Sequence, residues 1–88
     1  MSVIRLPTPL RSTVGGQTTV PIDAVDLRSL PEAIAQRYPD LAERILAGGT
    51  FGKFVTVFVD GEDVRFLPPE TPLAAARAIE VLPAVSGG

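Results

Sequence analysis

Phe54-Val55-Thr56-Val57-Phe58-Val59-Asp60-Gly61 decides the fold. Six β-forming residues follow one another without proline or glycine, and the Asp-Gly pair behind them suits the two central positions of a type I′ hairpin turn. The chain is expected to double back there into a partner strand from Val64 to Leu67. Alternation along the first strand sends Val55, Val57 and Val59 to one sheet face and Phe54, Thr56 and Phe58 to the other. Two arrangements are open. With the valines inside, Phe54 and Phe58 form an exposed apolar patch of the kind that marks a protein contact. With the phenylalanines inside, or covered by loops, no such patch exists.

Working outward from this hairpin, the preceding segment changes period. Leu27, Leu30, Ile34, Tyr38, Leu41 and Ile45 recur every three or four residues, the spacing of one helical face. Ser29 and Glu32 read as a capping box, which puts Pro31 in the first turn, where its missing N–H costs no helical bond. Pro39 should end the first helix at Tyr38, since the residue before proline avoids the α region. Asp40 is then expected to cap a short second helix carrying Leu41, Ile45 and Leu46, stopped at Gly48-Gly49.

Nearer the N-terminus, Val3, Ile4 and Leu6 read as a strand closed by Pro7 and Pro9. Gly15-Gly16 read as a turn, and Gln17 to Ile22 as a second strand. Beyond the second hairpin, Pro68, Pro69 and Pro72 mark a connection. Thr71-Pro72 suits the start of one helical turn through Ala74 to Ala76, and Ile79, Val81 and Leu82 read as the last strand. The order is strand, strand, helix, strand, strand, strand. That is an α+β domain with a mixed sheet of about five strands on one main helix, a β-grasp or ubiquitin-like arrangement over residues 1–82. Residues 83–88 are expected to form a flexible C-terminal Gly-Gly tail.

Composition narrows the chemistry. The 88 residues include no His, Cys or Trp, so an imidazole base, a thiolate nucleophile, a disulfide and an ordinary zinc site are all excluded. Eight Lys plus Arg against ten Asp plus Glu leave a formal charge of -2 and no basic footprint for nucleic acid. No apolar run approaches the roughly 20 residues of a membrane span, and Arg5 and Pro7 interrupt any signal-like start, which gives a cytoplasmic expectation. Glu62 and Asp63 are adjacent turn charges without supporting ligands, so no metal site is expected there. Pro68-Pro69 lacks the repeat of a polyproline ligand and reads as a stiff connection.

The ending Gly87-Gly88 gives the remaining chemistry. Glycines without Cβ can thread a narrow active-site channel, and six extended residues from Pro83 reach about 20 Å. The group such a tail presents is the main-chain carboxylate of Gly88, which an ATP-dependent enzyme can convert to an acyl-adenylate. The carrier itself needs no catalytic side chain.

The run Leu6-Pro7-Thr8-Pro9-Leu10-Arg11 leading to Gly15-Gly16, the stretch from Phe54 to Phe66, and Val81-Leu82-Pro83-Ala84-Val85-Ser86-Gly87-Gly88 resemble the ThiS/MoaD family of ubiquitin-like sulfur carriers. They are most similar to its CysO-type branch, as are Tyr38 and Glu43-Arg44. The chain departs from the family's usual acidic-glycine turn before the last strand, having Ala75-Ala76-Arg77-Ala78 instead. The resemblance implies a non-enzymatic co-substrate that binds no cofactor, with ATP used by an activating adenylyltransferase/sulfurtransferase. Gly88 would be adenylated and converted to a thiocarboxylate, and Pro83, Ala84, Val85, Ser86, Gly87 and Gly88 would thread into partner active sites. It further implies an acceptor: a pyridoxal-phosphate cysteine synthase, a thiosugar or thiazole synthase, or, for a MoaD-like carrier, molybdopterin synthase. Conjugation to target lysines as a ubiquitin-like modifier is the alternative from another class. Arg11 corresponds to a family arginine that contacts the activating enzyme. Arg65, Phe54 and Phe58 are the other expected docking residues, and Lys53 is assigned no role.

Overall fold

The computed structural model describes residues 1–75 and 77–83. Its main sheet has five strands: β1 (Ser2–Arg5), β2 (Thr19–Ile22), β5 (Val55–Val59), β6 (Glu62–Asp63) and β7 (Ala78–Pro83), in the order β2-β1-β7-β5-β6. β1 pairs parallel with β7, and every other neighbour is antiparallel. Parallel neighbours need a long crossover. Here it includes α1 (Leu30–Arg37) and α2 (Pro39–Ile45), which cover one sheet face. A two-stranded accessory sheet, β3 (Leu46–Ala47) with β4 (Thr50–Phe51), follows them. This is the β-grasp arrangement expected from the sequence, and no helix among the described residues is long and apolar enough to cross a membrane.

The valine face is the inner one. Val57 and Val59 are buried against Leu30 and Ile34 of α1, Leu41 and Ile45 of α2, and Ile4, Ile79 and Val81 of the neighbouring strands. Tyr38, between the helices, donates its hydroxyl to the Pro21 carbonyl at 2.5 Å and so ties the helical layer to edge strand β2. Proline is tolerated in β2 because an edge strand leaves one side of its backbone unpaired.

Several local expectations need correction. The return strand of the β5 hairpin is Glu62–Asp63, and Val64–Phe66 is a 3₁₀ helix: the Asp63 carboxylate accepts from the Arg65 amide at 2.9 Å and caps it. Phe54 lies in the turn before β5, outside the strand. The loop after β1 contains a 3₁₀ helix, Thr8–Val14, closed by Gly15 and Gly16 at φ 68° and 85°, values that favour glycine. Ser29 occupies the N-cap of α1 without a side-chain cap bond; its reciprocal partner is Asp26, whose carboxylate accepts the Ser29 amide at 2.9 Å while the Ser29 hydroxyl donates to the Asp26 carbonyl at 3.0 Å. Pro39 begins α2 directly after Tyr38, so Asp40 sits in the first turn rather than at the cap.

α2 ends at Ile45 and Leu46 already belongs to β3, so Gly48 and Gly49, at φ 63° and 84°, form the β3–β4 turn instead of stopping the helix as expected. Ala74 and Ala75 form a bend without a helical turn. The proline-rich connection is strapped to the segment before α1 by Leu27 N–H to Thr71 O and Arg28 N–H to Pro69 O, both 2.9 Å, which lets Leu73 become fully buried.

Candidate functional site: the end of the central strand and the open sheet face

β7 lies between β1 and β5 because Ile79 and Val81 alternate with Ala78, Glu80 and Leu82, giving it one apolar face for the helices and one for the outside. It extends one residue past the expected end, to Pro83, which stands opposite Val55. Ala84, Val85, Ser86, Gly87 and Gly88 lie outside the described residues, so the proposed reactive end and most of the threading tail are not placed.

Beside the end of β7, the 3₁₀ helix Thr8–Val14 presents Arg11. Its Nε donates to the Leu6 carbonyl at 3.1 Å, fixing the half-buried guanidinium along a cleft of about 180 Å³ shared with Arg5, Glu80 and Leu82. The loop therefore places Arg11 beside Glu80, Val81 and Leu82, near the described end of the last strand.

On the open face, a row crosses four strands in register: Arg5 opposite Glu80, Glu80 opposite Phe58, Phe58 opposite Asp63. Phe58 is half-buried on this face and does not enter the core. Leu82 and Val3, 38% and 44% exposed, share the face; their alternation with buried neighbours was the signal that sequence reasoning left unused. Phe54, 68% exposed, stands at the start of β5 with the Lys53 ammonium 5.7 Å from its ring centre. Arg65 is held by Asp63 through a 2.7 Å ion pair, and this guanidinium, together with the Arg65 amide, holds the Asp63 carboxyl below the usual carboxylate range. The structure thus brings Arg11 beside the end of β7 and Phe58 to the open face, and places Phe54 on the turn before β5 and Arg65 in the 3₁₀ helix after β6.

Among the described residues no group of three acidic side chains gathers that could hold a metal ion.

The ThiS family model matches residues 4–88. The chain belongs to the ThiS family. Among curated ThiS-type relatives, the sulfur carrier protein CysO of Mycobacterium tuberculosis and that of Mycobacterium bovis are each 34% identical over 89 residues, covering 97% of this chain and 96% of theirs. Two solved structures agree. CysO in the Amycolatopsis orientalis BexX/CysO complex superposes with a TM-score of 0.83 at 27% identity over 100% of both chains. Mycobacterium tuberculosis CysO gives 0.81 at 30% identity, over 97% of this chain and 100% of that one. The small archaeal modifier protein from Methanosarcina acetivorans, at 24% identity and a TM-score of 0.80 over 99% of this chain and 95% of that one, shares the fold.

Proposed function

We propose that this ThiS-family chain is a CysO-like sulfur carrier whose reactive group is made on the main-chain carboxylate of Gly88. The observation that carries the reading is the near-full-length match to CysO sulfur carriers, in a chain whose central strand ends at Pro83, five residues before Gly88 in the sequence. In the first step a Gly88 carboxylate oxygen attacks the α-phosphorus of ATP and pyrophosphate leaves, giving the acyl-adenylate. A sulfide sulfur then attacks the acyl carbon, the bond to phosphate oxygen breaks and AMP leaves, so that the product is a thiocarboxylate. Where the sulfur comes from a persulfide, a thiol must also reduce the sulfur–sulfur bond. The thiocarboxylate sulfur is the nucleophile passed to an electrophilic acceptor, and hydrolysis restores the carboxylate. ATP and its chemistry belong to the activating adenylyltransferase, and this chain supplies the acyl group.

The docking surface proposed for the activating enzyme is the open face around Phe58 and Leu82, with Arg11 beside the strand end. Phe54 and Arg65 lie at its flank. Exposed apolar side chains framed by charge suit a transient contact whose apolar centre gives affinity and whose charged rim sets orientation. The acceptor is proposed to be of the CysO type, a synthase holding an aminoacrylate on pyridoxal phosphate, with cytoplasmic location. That a CysO was solved in complex with BexX supports carriers of this shape meeting a partner as an assembled pair.

Intact-mass measurement of the full chain incubated with a CysO-type activating enzyme, ATP and sulfide tests the reading. Replacement of one oxygen by sulfur, localised to Gly88, is expected. An unchanged mass, with pyrophosphate release shown in parallel on an authentic CysO, overturns it.

A further inference from the structure

β5 is paired unevenly. β7 runs beside it from Val55 to Val59, whereas β6 meets it only at Phe58 and Val59, because the chain turns out of the sheet into the 3₁₀ helix at Val64. Val55, Thr56 and Val57 therefore have a main-sheet strand on one side only. In an antiparallel ladder successive residues direct their backbone groups to opposite sides. The Asp60 amide, bonded to the Ala78 carbonyl at 2.8 Å, sets the phase: Thr56 and Phe58 address β7, while Val55 and Val57 address the other side. The Val55 amide donates to the Gly52 carbonyl at 3.3 Å, which among the described residues leaves the Val55 carbonyl and the Val57 amide as an acceptor and a donor two residues apart.

A groove of about 300 Å³ runs along this half-edge. Val55 and Val57 line it, with Val64 and Arg65 of the 3₁₀ helix and Lys53 also on its walls. The carboxylate in the lining, Asp63, is already neutralised by Arg65 at 2.7 Å, so Lys53 leaves the groove net positive in a chain whose formal charge is -2. Two strongly exposed aromatics, Phe54 and Phe66 (68% and 82%), are the sequence neighbours of its two cations.

We infer that this half-edge is a second docking site, occupied by a short extended acidic segment of a partner protein that adds to β5 as a strand. A donor and an acceptor at strand spacing are matched by an extended backbone. Val55 and Val64, both only partly buried, receive an apolar side chain, and Lys53 receives a carboxylate. Aromatic and arginine residues at a contact are those in which binding energy concentrates. The groove shares Asp63 with the Phe58 row and Arg65 with its flank, but its backbone groups are those of Val55 and Val57 and it does not depend on the tail, so its failure leaves the sulfur-carrier reading intact.

The probe is a capped pentapeptide of alternating valine and glutamate, titrated into the isotope-labelled full chain and followed by amide chemical shifts. Expected are saturable shifts centred on Val57 and neighbouring groove residues, with affinity at least about tenfold weaker for Lys53→Glu and retained for Lys53→Arg. A peptide with N-methylated amides should not bind. The proposal is overturned by shifts centred on Phe58 and Leu82, by affinity indifferent to N-methylation or to Lys53→Glu, by equal binding of a valine–lysine peptide, or by the absence of saturable shifts. Concentration-dependent shifts at the same amides without peptide would assign the edge to a second copy of the chain and overturn it as well.

Discussion

Asp60 and Arg77, 17 positions apart, hold the β5–β6 turn to the start of the central strand. The Asp60 carboxylate accepts from Arg77 Nη1 at 2.8 Å and from the Ala78 amide at 2.9 Å, while its own amide donates to the Ala78 carbonyl. Arg77 belongs to the segment that departs from the family's acidic-glycine pattern, and the acid it meets comes from the neighbouring hairpin. Asp60 stands at φ 50°, a conformation that Asp and Asn tolerate better than other non-glycine residues. Asp60→Ala should therefore lower the melting temperature more than Asp60→Asn, which keeps the turn and an acceptor for Ala78. Equal melting of both variants and the parent would show the link to be idle.

Acid should weaken the fold through the same groups. The carboxyls of Asp26, Asp60 and Asp63 are held below the usual carboxylate value, chiefly by bonds from the backbone and side chain of Ser29, the Arg77 guanidinium and the Arg65 guanidinium respectively. A depressed folded-state value means that the unfolded chain binds more protons in this range, so the contribution is fully present above the ordinary carboxylate value near 3.8 and is lost as pH falls through the lower folded values. With no His in the chain, no imidazole titration adds a step near neutrality. Melting temperature measured from pH 2 to 8 should show its main fall below about pH 4, reduced in Asp60→Asn.

Tyr38→Phe removes the hydroxyl that bonds the Pro21 carbonyl and leaves the ring in place. A loss of about 1 kcal/mol in urea unfolding is expected, the usual net worth of one such bond. An unchanged midpoint would mean that water replaces the hydroxyl without cost.

Phe58→Lys should separate folding from docking. The side chain lies outside the core, so melting should change little, whereas affinity for the activating enzyme should fall by about tenfold or more, as for a central contact residue. A collapse of the fold together with affinity would contradict its placement on the open face.

Deletion of Gly88 should leave thermal melting within experimental error and abolish sulfur loading in the intact-mass assay. Loading that persists on Gly87 would reassign the reactive atom.

Much of this architecture was legible because it rests on short-range patterns. Alternation divided the β5 side chains into two sets without deciding which is inside, the three-and-four spacing from Leu30 to Ile45 set the helical layer, and Pro39 set the break between its helices. What escaped was decided across the chain or by individual caps. Val64 and Phe66 have β-forming side chains, yet Asp63 captures the Arg65 amide and turns them into a 3₁₀ helix. Thr8–Val14 forms a 3₁₀ helix within a segment whose prolines suggested only a loop. Neither the Asp60–Arg77 pair nor the half-paired edge of β5 has a local signature. Of the candidate site, alternation grouped Phe58 with Phe54 without deciding which face is outside, and Arg11 was named through the family resemblance alone, whereas Leu82 and Val3 were read as strand residues with no outward role.

The place of β7 between two hydrogen-bonded neighbours also has a mechanical meaning. Its ladder with β5 runs out to Pro83 and its ladder with β1 to Glu80, so a pull along the strand at Pro83 is opposed in shear by β5 first and by both neighbours from Glu80 inward, instead of peeling an edge strand.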